Sequence, residues 1–365
     1  MKKLTSYLVP VIAIVLMFYA CGKDDDNNNS TNVSNILITT MSVDIPDAIS
    51  GASNGKTSGT NESLEGNEIY EHMRFFVNVG ESAAEIVDNI ITAINKNNLS
   101  GPAEFTFTAD DGRTKIVTIV ANEFYDGENW EFFLEMLDQD SSKALQVFWD
   151  TSTVKGIAIL DPDKIDITNT DNPDLMGKVE YSEVESGYDK RMIVTLSGLT
   201  VTEGTDLDNM KMFVGKSGDV LDVYANSNHP NVQLVDTNYT GGRNWAFRAH
   251  AHSTDDIGVA EVGLPPSSTS TNVDILSDFS IDKVLSEELH NMYDGTQDSA
   301  YVDSAITEFV KYAKPPGYFI GAQGGYVSNG DSIPSHTGFT TDFLDLSTLS
   351  PYVPVTIRDQ AVTFH

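Results

Sequence analysis

The chain contains a single cysteine, Cys21, among its 365 residues. One thiol cannot form an intramolecular disulfide, and it cannot supply the several thiolates of a structural zinc site or an iron–sulfur cluster. Stability must therefore come from a packed core, with at most an ion bound by carboxylates. The 40% hydrophobic and 9% aromatic content is typical of a folded globular protein.

Positive charge is also scarce, because 22 Lys and Arg face 54 Asp and Glu and leave a net charge of −32. Such a chain repels nucleic-acid phosphates, so we expect no nucleic-acid partner. Anionic lipid head groups would repel it as well. Contact with a membrane therefore requires a covalent anchor rather than a basic patch.

The first twenty residues have the pattern of a secretory signal. Lys2 and Lys3 precede the apolar run 7–20, which is 14 residues long and shorter than the roughly 20 residues that a membrane-spanning helix needs. Ala20 is the small residue expected before a cleavage point. We predict a signal peptide over 1–20, with Cys21 as the first mature residue.

The stretch 18–26, Phe-Tyr-Ala-Cys-Gly-Lys-Asp-Asp-Asp, resembles the lipobox and export signal of surface lipoproteins from the Bacteroidota. The resemblance implies that Cys21 carries several acyl chains, such as palmitate. It further implies that the protein is anchored in the outer membrane and faces the cell exterior. The alternative is an ordinary cleaved signal followed by an incidental cysteine.

The region after the cysteine divides into a linker and a folded part. Residues 21–35 are rich in Asp, Asn, Ser and Thr and predict a flexible linker behind the lipidated cysteine. Residues 36–365 predict one large domain, with a subdivision near 161–177 as an alternative. The first segment of that domain, 36–45, is β-branched and is interpreted as an edge strand or an extended docking segment.

Apolar spacing predicts two pairs of helices. In the first pair, one helix ends at Gly80 and the next begins at Ser82 with a capping box to Glu85. The second pair covers residues 281–292 and 300–313, where apolar residues recur at helical intervals.

Between the helix pairs, β-branched and aromatic runs separated by turn residues predict an antiparallel meander. The predicted strands are 105–108, 115–121, 130–137, 144–149, 155–160, 177–184, 191–196, 210–215, 220–225, 232–236, 244–252 and 258–262, with 353–357 and 361–364 as late additions. The predicted fold class is α+β: a large curved antiparallel sheet, an open barrel or two-layer structure, covered by two helix pairs.

The segment 245–252 is the most specific candidate for a site. Because strand side chains alternate between faces, Trp245 and the residues at odd positions should face the core, while Arg248, His250 and His252 share the other face. Three interpretations stay open. They are a polar face of a half-buried strand, a metal site with Asp255 and Asp256 nearby, and a contact for a small ligand or glycan. Trp245, Arg248, His250 and His252 are the ligand-contact candidates.

Metal and cofactor signals are incomplete. Zinc requires three or four ligands, and the other histidines have no companion motif, so we assign no metal ligand and no catalytic residue. The acidic loops 161–166 and 294–298 offer oxygens to Ca²⁺ but lack the ligand spacing of an EF-hand. We expect no cofactor, with Ca²⁺ as the alternative.

These observations predict a lipid-anchored, non-enzymatic envelope lipoprotein that binds a protein or glycan partner outside the membrane. Two alternatives remain. The order of elements is similar to that of half-barrel carriers in bacterial envelopes, which implies a curved sheet holding an apolar ligand. The paired histidines allow a metal-dependent hydrolase centred on His250 and His252.

Overall fold

The computed structural model describes thirteen ranges of the chain. They are 40–51, 67–95, 102–109, 111–165, 174–185, 187–199, 208–229, 242–269, 275–293, 298–310, 318–321, 345–349 and 357–365. The predicted signal peptide, Cys21 and the linker lie outside these ranges, as does the strand predicted at 232–236. Within the described ranges, no helix combines the length and the apolar character that a membrane crossing requires.

In the described part of the chain, twelve antiparallel strands form one sheet in which each strand pairs with its neighbours in the sequence. The strands are β1 Ala103–Thr108, β2 Thr114–Tyr125, β3 Glu128–Leu137, β4 Lys143–Asp150, β5 Lys155–Leu160, β6 Met176–Glu185, β7 Tyr188–Ser197, β8 Asn209–Ser217, β9 Val220–His229, β10 Arg243–His252, β11 Ile257–Gly263 and β12 Phe319–Ile320. The predicted meander is confirmed. The sheet is open, because β1 and β12 form its two edges and do not pair with each other.

The α part of the fold consists of one long helix and several shorter ones. The helices are α1 Asp47–Ser50, α2 Asn67–Asn95, α3 Pro162–Ile165, α4 Ile275–Asp278, α5 Ile281–Tyr293 and α6 Ser299–Val310, with a 3-10 helix at Leu346–Thr348. Leu289 of α5 shares a small buried cluster with Val302 and Ile306 of α6. The fold class is α+β, as the sequence predicts.

The first predicted helix pair is wrong, because α2 continues through Gly80 without a break. A Cβ atom at position 80 would lie 2.4 Å from Cε of Met212 on β8. The glycine therefore allows the helix to approach the sheet closely and does not end the helix. From sequence alone, a glycine in a helical pattern predicts the end of a helix, since glycine is the commonest residue just past a helix end.

One face of the sheet, called here the inner face, packs against α2 and the segment 40–51. Met41, Val43 and Ile45 are at most 2% exposed and belong to the same buried cluster as Met73 and Val77 of α2. The segment 40–45 pairs with no strand. The segment 36–45 was interpreted as an edge strand or as an extended docking segment. Its described part, 40–45, is the extended docking segment.

The opposite, outer face is covered by the end of the chain, called here the strap (345–349 and 357–365). Leu346 and Leu349 pack on Ile257 and Val259 of β11, and Val362 packs on the strands near Phe148. The strands predicted at 353–357 and 361–364 are wrong for their described part. Residues 357–358 form a helical turn and 361–365 are not in a strand.

The strap is fixed by polar side chains spread across the sheet. Arg248 and His250 of β10 face its first part. Its last part bonds to β8, β7 and β4. The bonds at that end join Asn209 Nδ2 to the carbonyl of Ile357 (3.0 Å), the Val362 amide to Ser197 Oγ (3.0 Å) and the His365 amide to Gln146 Oε1 (2.8 Å). Hydrogen bonds with side chains of β4, β7 and β8 therefore hold the last part of the strap on the sheet, and no strand pairing is involved.

A cluster of buried charged side chains lies at one end of the sheet. The ammonium of Lys115, 1% exposed, lies 3.0 Å from Asp138 Oδ1 and 3.3 Å from Asp111 Oδ2. Arg113 binds the same two carboxylates. Two cations face two carboxylates, so the cluster satisfies the general rule that buried charges are paired.

The two strands on either side of the possible domain boundary near 161–177 pair with each other. β5 and β6 flank that stretch and pair along their length, from Lys155 opposite Ser182 to Leu160 opposite Gly177. Between them, Asp161 caps α3 by accepting the amides of Asp163 and Lys164.

Candidate functional site

The predicted alternation along β10 is confirmed. Trp245, Phe247, Ala249 and Ala251 belong to the buried cluster of the inner face. Arg248, His250 and His252 point to the outer face, where the strap and neighbouring strands contribute their partners. The predicted ligand-contact residues are therefore divided between two sides of the sheet, with Trp245 separated from the other three.

His250 links three parts of the chain. Its Nδ1 lies 2.7 Å from Oδ1 of Asp222 on β9, and its Nε2 lies 3.2 Å from the carbonyl oxygen of Asp345 in the strap. Oδ2 of Asp222 accepts a 2.7 Å hydrogen bond from the hydroxyl of Tyr188. The Asp222 carboxylate thus bridges a phenol and an imidazole, and the imidazole extends to the strap.

The protonation chemistry of this group favours an ionised Asp222. Burial raises the pKa of the Asp222 carboxyl, but the hydrogen bonds from His250 and Tyr188 outweigh burial and hold the pKa below its usual range. Burial and the bond to Asp222 raise the pKa of Tyr188. Tyr188 therefore remains a neutral hydrogen-bond donor to a carboxylate.

Arg248 makes a fork-shaped contact with a residue directly across the ladder. Its Nε and Nη2 lie 3.0 and 2.8 Å from Oε2 of Glu261, and its Nη1 donates a 3.0 Å bond to the carbonyl of Leu349. The guanidinium of Arg248 and the imidazole of His250 thus hold successive parts of the strap. These contacts match the interpretation of a polar strand face.

His252 has a different carboxylate partner from His250. Its Nδ1 lies 3.0 Å from Oδ2 of Asp255, in the turn that follows β10. The structure does not bring His250 and His252 to a common carboxylate. Among the residues the structure describes, no group of three or more His, Cys, Asp or Glu side chains could hold a metal ion. Much of the second acidic loop, 294–297, lies outside them.

A cleft of about 310 Å³ opens beside Arg248 at the edge of the sheet. In the described residues, β12 pairs with Ile257 and Gly258 of β11, and Ser280 bridges to Gly263. Glu261 and Val262, which lie between these contacts, line the cleft. The lining residues are Tyr70, Arg248, Glu261, Val262, Leu276, Ser277, Ser280, Ile281 and Asp282. Of the four ligand-contact candidates, Arg248 is therefore the one that lines this cleft.

A second polar group on the outer face was not predicted as a site. Asn228 of β9 lies opposite both Asn209 of β8 and Asn244 of β10, and Asn226 is one step further along the same face. Asn226, Asn228 and Asn244 are only 1%, 2% and 0% exposed. Asparagine is depleted in strands, so its repetition at strand positions was a signal that sequence reasoning could have used.

Seven buried polar atoms in this region have no hydrogen-bond partner among the residues that the structure describes. They are Nδ2 and Oδ1 of Asn226 and Asn244, Oδ1 of Asn228, and the hydroxyls of Ser267 and Thr269. Each buried polar atom left unpaired costs about 1–3 kcal/mol. Seven such costs would approach the net stability of a whole domain, about 5–15 kcal/mol. These atoms therefore need hydrogen-bond partners beyond those that the described residues supply.

Arg243 is next to Asn244 in the sequence but on the other face of β10, and its side chain is already paired. Nη2 of Arg243 lies 2.7 Å from Oε1 of Glu288, and both side chains are buried. Nη1 of Arg243 donates to the carbonyl of Leu264. The asparagine group itself presents neutral amides and hydroxyls, and Lys211 of β8 is opposite Asn226 in the ladder.

Comparison of the chain with protein-family models, with curated proteins and with solved structures finds no match.

Proposed function

We propose that the protein is a lipid-anchored lipoprotein of the outer membrane that faces the cell exterior and binds a protein or glycan partner without catalysing a reaction. The observation that carries the proposal is the stretch 18–26, in which the only cysteine follows a short apolar segment and precedes three aspartates. Acyl chains contribute about 0.8 kcal/mol per buried CH₂, and stable anchoring needs more than one chain.

The packing of the domain supports a binding role. Both faces of the sheet carry segments of the chain itself: α2 and the segment 40–51 on the inner face, and the strap on the outer face. A carrier would need an apolar cavity against the sheet, and this packing favours partner binding over the carrier alternative. The cleft beside Arg248 is the contact surface we propose, because there part of the predicted ligand-contact group borders an open space.

The net charge gives the linker a mechanical role in this proposal. A mature chain without Lys2 and Lys3 is still more acidic than the −32 of the whole sequence. Repulsion from an anionic membrane surface would hold such a domain at a distance that the polar linker 21–35 can span.

Fractionation of cells that express the full chain tests the proposal. Wild-type protein should sediment with the outer membrane and be degraded when protease is added to intact cells, whereas Cys21→Ala should leave the membrane fraction. Replacement of Asp24, Asp25 and Asp26 by Asn should keep the anchor but protect the protein from external protease. A matched control replaces Asn27, Asn28 and Asn29 by Ser and should behave as wild type. Wild-type protein that remains soluble would contradict the proposal.

A further inference from the structure

The asparagine group on the outer face has the chemistry of an occupied internal site. Asn226 and Asn244 each present a complete amide with neither the NH₂ nor the carbonyl oxygen paired, and Asn228 adds another unpaired oxygen. The ladder places these three side chains on adjacent strands of one face, because Asn228 is opposite Asn244 and Asn226 is opposite Ala246. Native proteins pair nearly all such buried groups, with protein atoms or with ordered water.

The strap lies against this row. Asn209, at the β8 end of the row, donates to the carbonyls of Ile357 and Arg358. The guanidinium of Arg358 reaches the carbonyl of Ser267 beyond the β10 end, at 3.4 Å. Residues 357–358 are therefore held at both ends of the row that contains Asn228 and Asn244.

The unpaired atoms define the kind of ligand. They include NH₂ donors, carbonyl acceptors and two hydroxyls that can do either, so a matching ligand must both donate and accept hydrogen bonds. The unpaired groups are themselves uncharged amides and hydroxyls, which a neutral ligand matches. Hydroxyl groups satisfy both conditions, whether they belong to water or to a sugar.

We propose that Asn226, Asn228 and Asn244 form an internal site for a neutral hydroxyl-bearing ligand, which is either a cluster of ordered water molecules or a sugar. The site does not depend on the lipid anchor. The ligand bridges amides of β9 and β10 under the strap, and so contributes to holding the strap on the sheet.

The proposal is tested by whether the melting temperature falls or rises when these asparagines are replaced by leucine. Leucine is close to asparagine in shape and cannot hydrogen-bond. If the amides hold a ligand, Asn226→Leu and Asn244→Leu lose its bonds, and the melting temperature of each variant should fall by about 3–6 °C. If the amides are simply buried and unpaired, leucine removes a penalty and the melting temperature should rise. A rise in both variants overturns the proposal.

Crystallography of the wild-type protein decides the question even if the leucine variants do not fold. Discrete density within hydrogen-bond distance of the amides of Asn226 and Asn244 supports the proposal. Direct bonds between those amides and other protein atoms, with no density between them, overturn it.

Native mass spectrometry and added sugar distinguish the two ligands. A purified protein that carries the extra mass of a sugar, and whose melting temperature rises with added monosaccharide, identifies a sugar site. A protein of the bare mass, with density for single atoms, identifies water. Asn129→Leu is the matched control, because Asn129 is an exposed asparagine on β3 and its loss should not change the response to sugar.

Discussion

Nδ1 of His250 lies 2.7 Å from Oδ1 of Asp222, and this pair connects two strands of the sheet to the strap. On its other side, the imidazole reaches the carbonyl of Asp345. The side chain that the sequence offers as a candidate metal ligand thus has a carboxylate and a main-chain carbonyl as partners. We interpret His250 as a clamp between β9, β10 and the end of the chain.

Replacement of His250 by Ala should destabilise the protein by about 2–3 kcal/mol, because it leaves the partly buried Asp222 carboxylate without its main partner. Denaturant unfolding measures this loss, and hydrogen exchange should show faster opening of 345–349. His252→Ala is the matched control, since the bond of His252 to Asp255 stays within one turn of the chain. Equal losses in the two variants would contradict the clamp.

Stability should depend on pH through Glu81. Its carboxyl oxygen accepts a 2.9 Å bond from the amide of Ile45 in the docked segment 40–51. Burial, opposed in part by that bond and reinforced by nearby carboxylates, raises the pKa of Glu81 to about 8. The facing carboxylates belong to Glu85, Asp44 and Asp47.

Because the folded state keeps a proton on Glu81 that the unfolded state has released, stability should fall as the pH rises from about 4.5 to about 8. The slope from this group is at most about 1.4 kcal/mol per pH unit. Glu81→Gln should flatten the dependence in urea unfolding measured across that range, whereas the exposed Glu128→Gln should leave it unchanged. An unaltered slope in the Glu81 variant would exclude this assignment.

The buried charge cluster should be sensitive to the loss of one cation. Lys115→Met leaves Asp111 and Asp138 with Arg113 alone, and it should cost about 3–5 kcal/mol of unfolding free energy. Lys178→Met is the control, because its partner Asp126 is 60% exposed and such surface pairs contribute about 0–1 kcal/mol. Thermal or chemical unfolding of the two variants compares them directly, and similar losses would refute the role of the cluster.

The docked segment depends on a glycine in β11. A Cβ atom at Gly258 would lie 2.4 Å from Cγ2 of Ile49, whose branched side chain has little freedom to move away. Gly258→Ala should therefore cost about 1–3 kcal/mol. The double variant Gly258→Ala, Ile49→Ala should lose less than the sum of the single changes in denaturant unfolding, and simple additivity would contradict this contact.

The sheet could be predicted from sequence because its signals are local. The strand at 155–160 was predicted to the residue, and the alternation of Trp245 and Arg248 between faces follows from the period of a strand. Turn residues such as Asp126 and Gly127 adopt the positive φ angles that tight hairpins require. Each of these features depends on a few neighbouring residues.

The rest depends on contacts between distant parts of the chain, which local patterns do not encode. Gly80 resembled a helix end and is instead a point of close approach to Met212. The strap resembled strands because its residues are apolar, yet polar side chains fix it to the sheet. Asp222 and Tyr188, the partners around His250, are ordinary strand residues in sequence and become a group only when β7, β8 and β9 lie side by side.

The central claim, lipid attachment at Cys21, is tested most directly by the mass of the amino-terminal peptide of protein isolated from the membrane fraction. We expect a peptide that begins at Cys21 and carries the added mass of several acyl chains. A peptide that retains residues 1–20, or one that begins elsewhere and contains an unmodified Cys21, would contradict it.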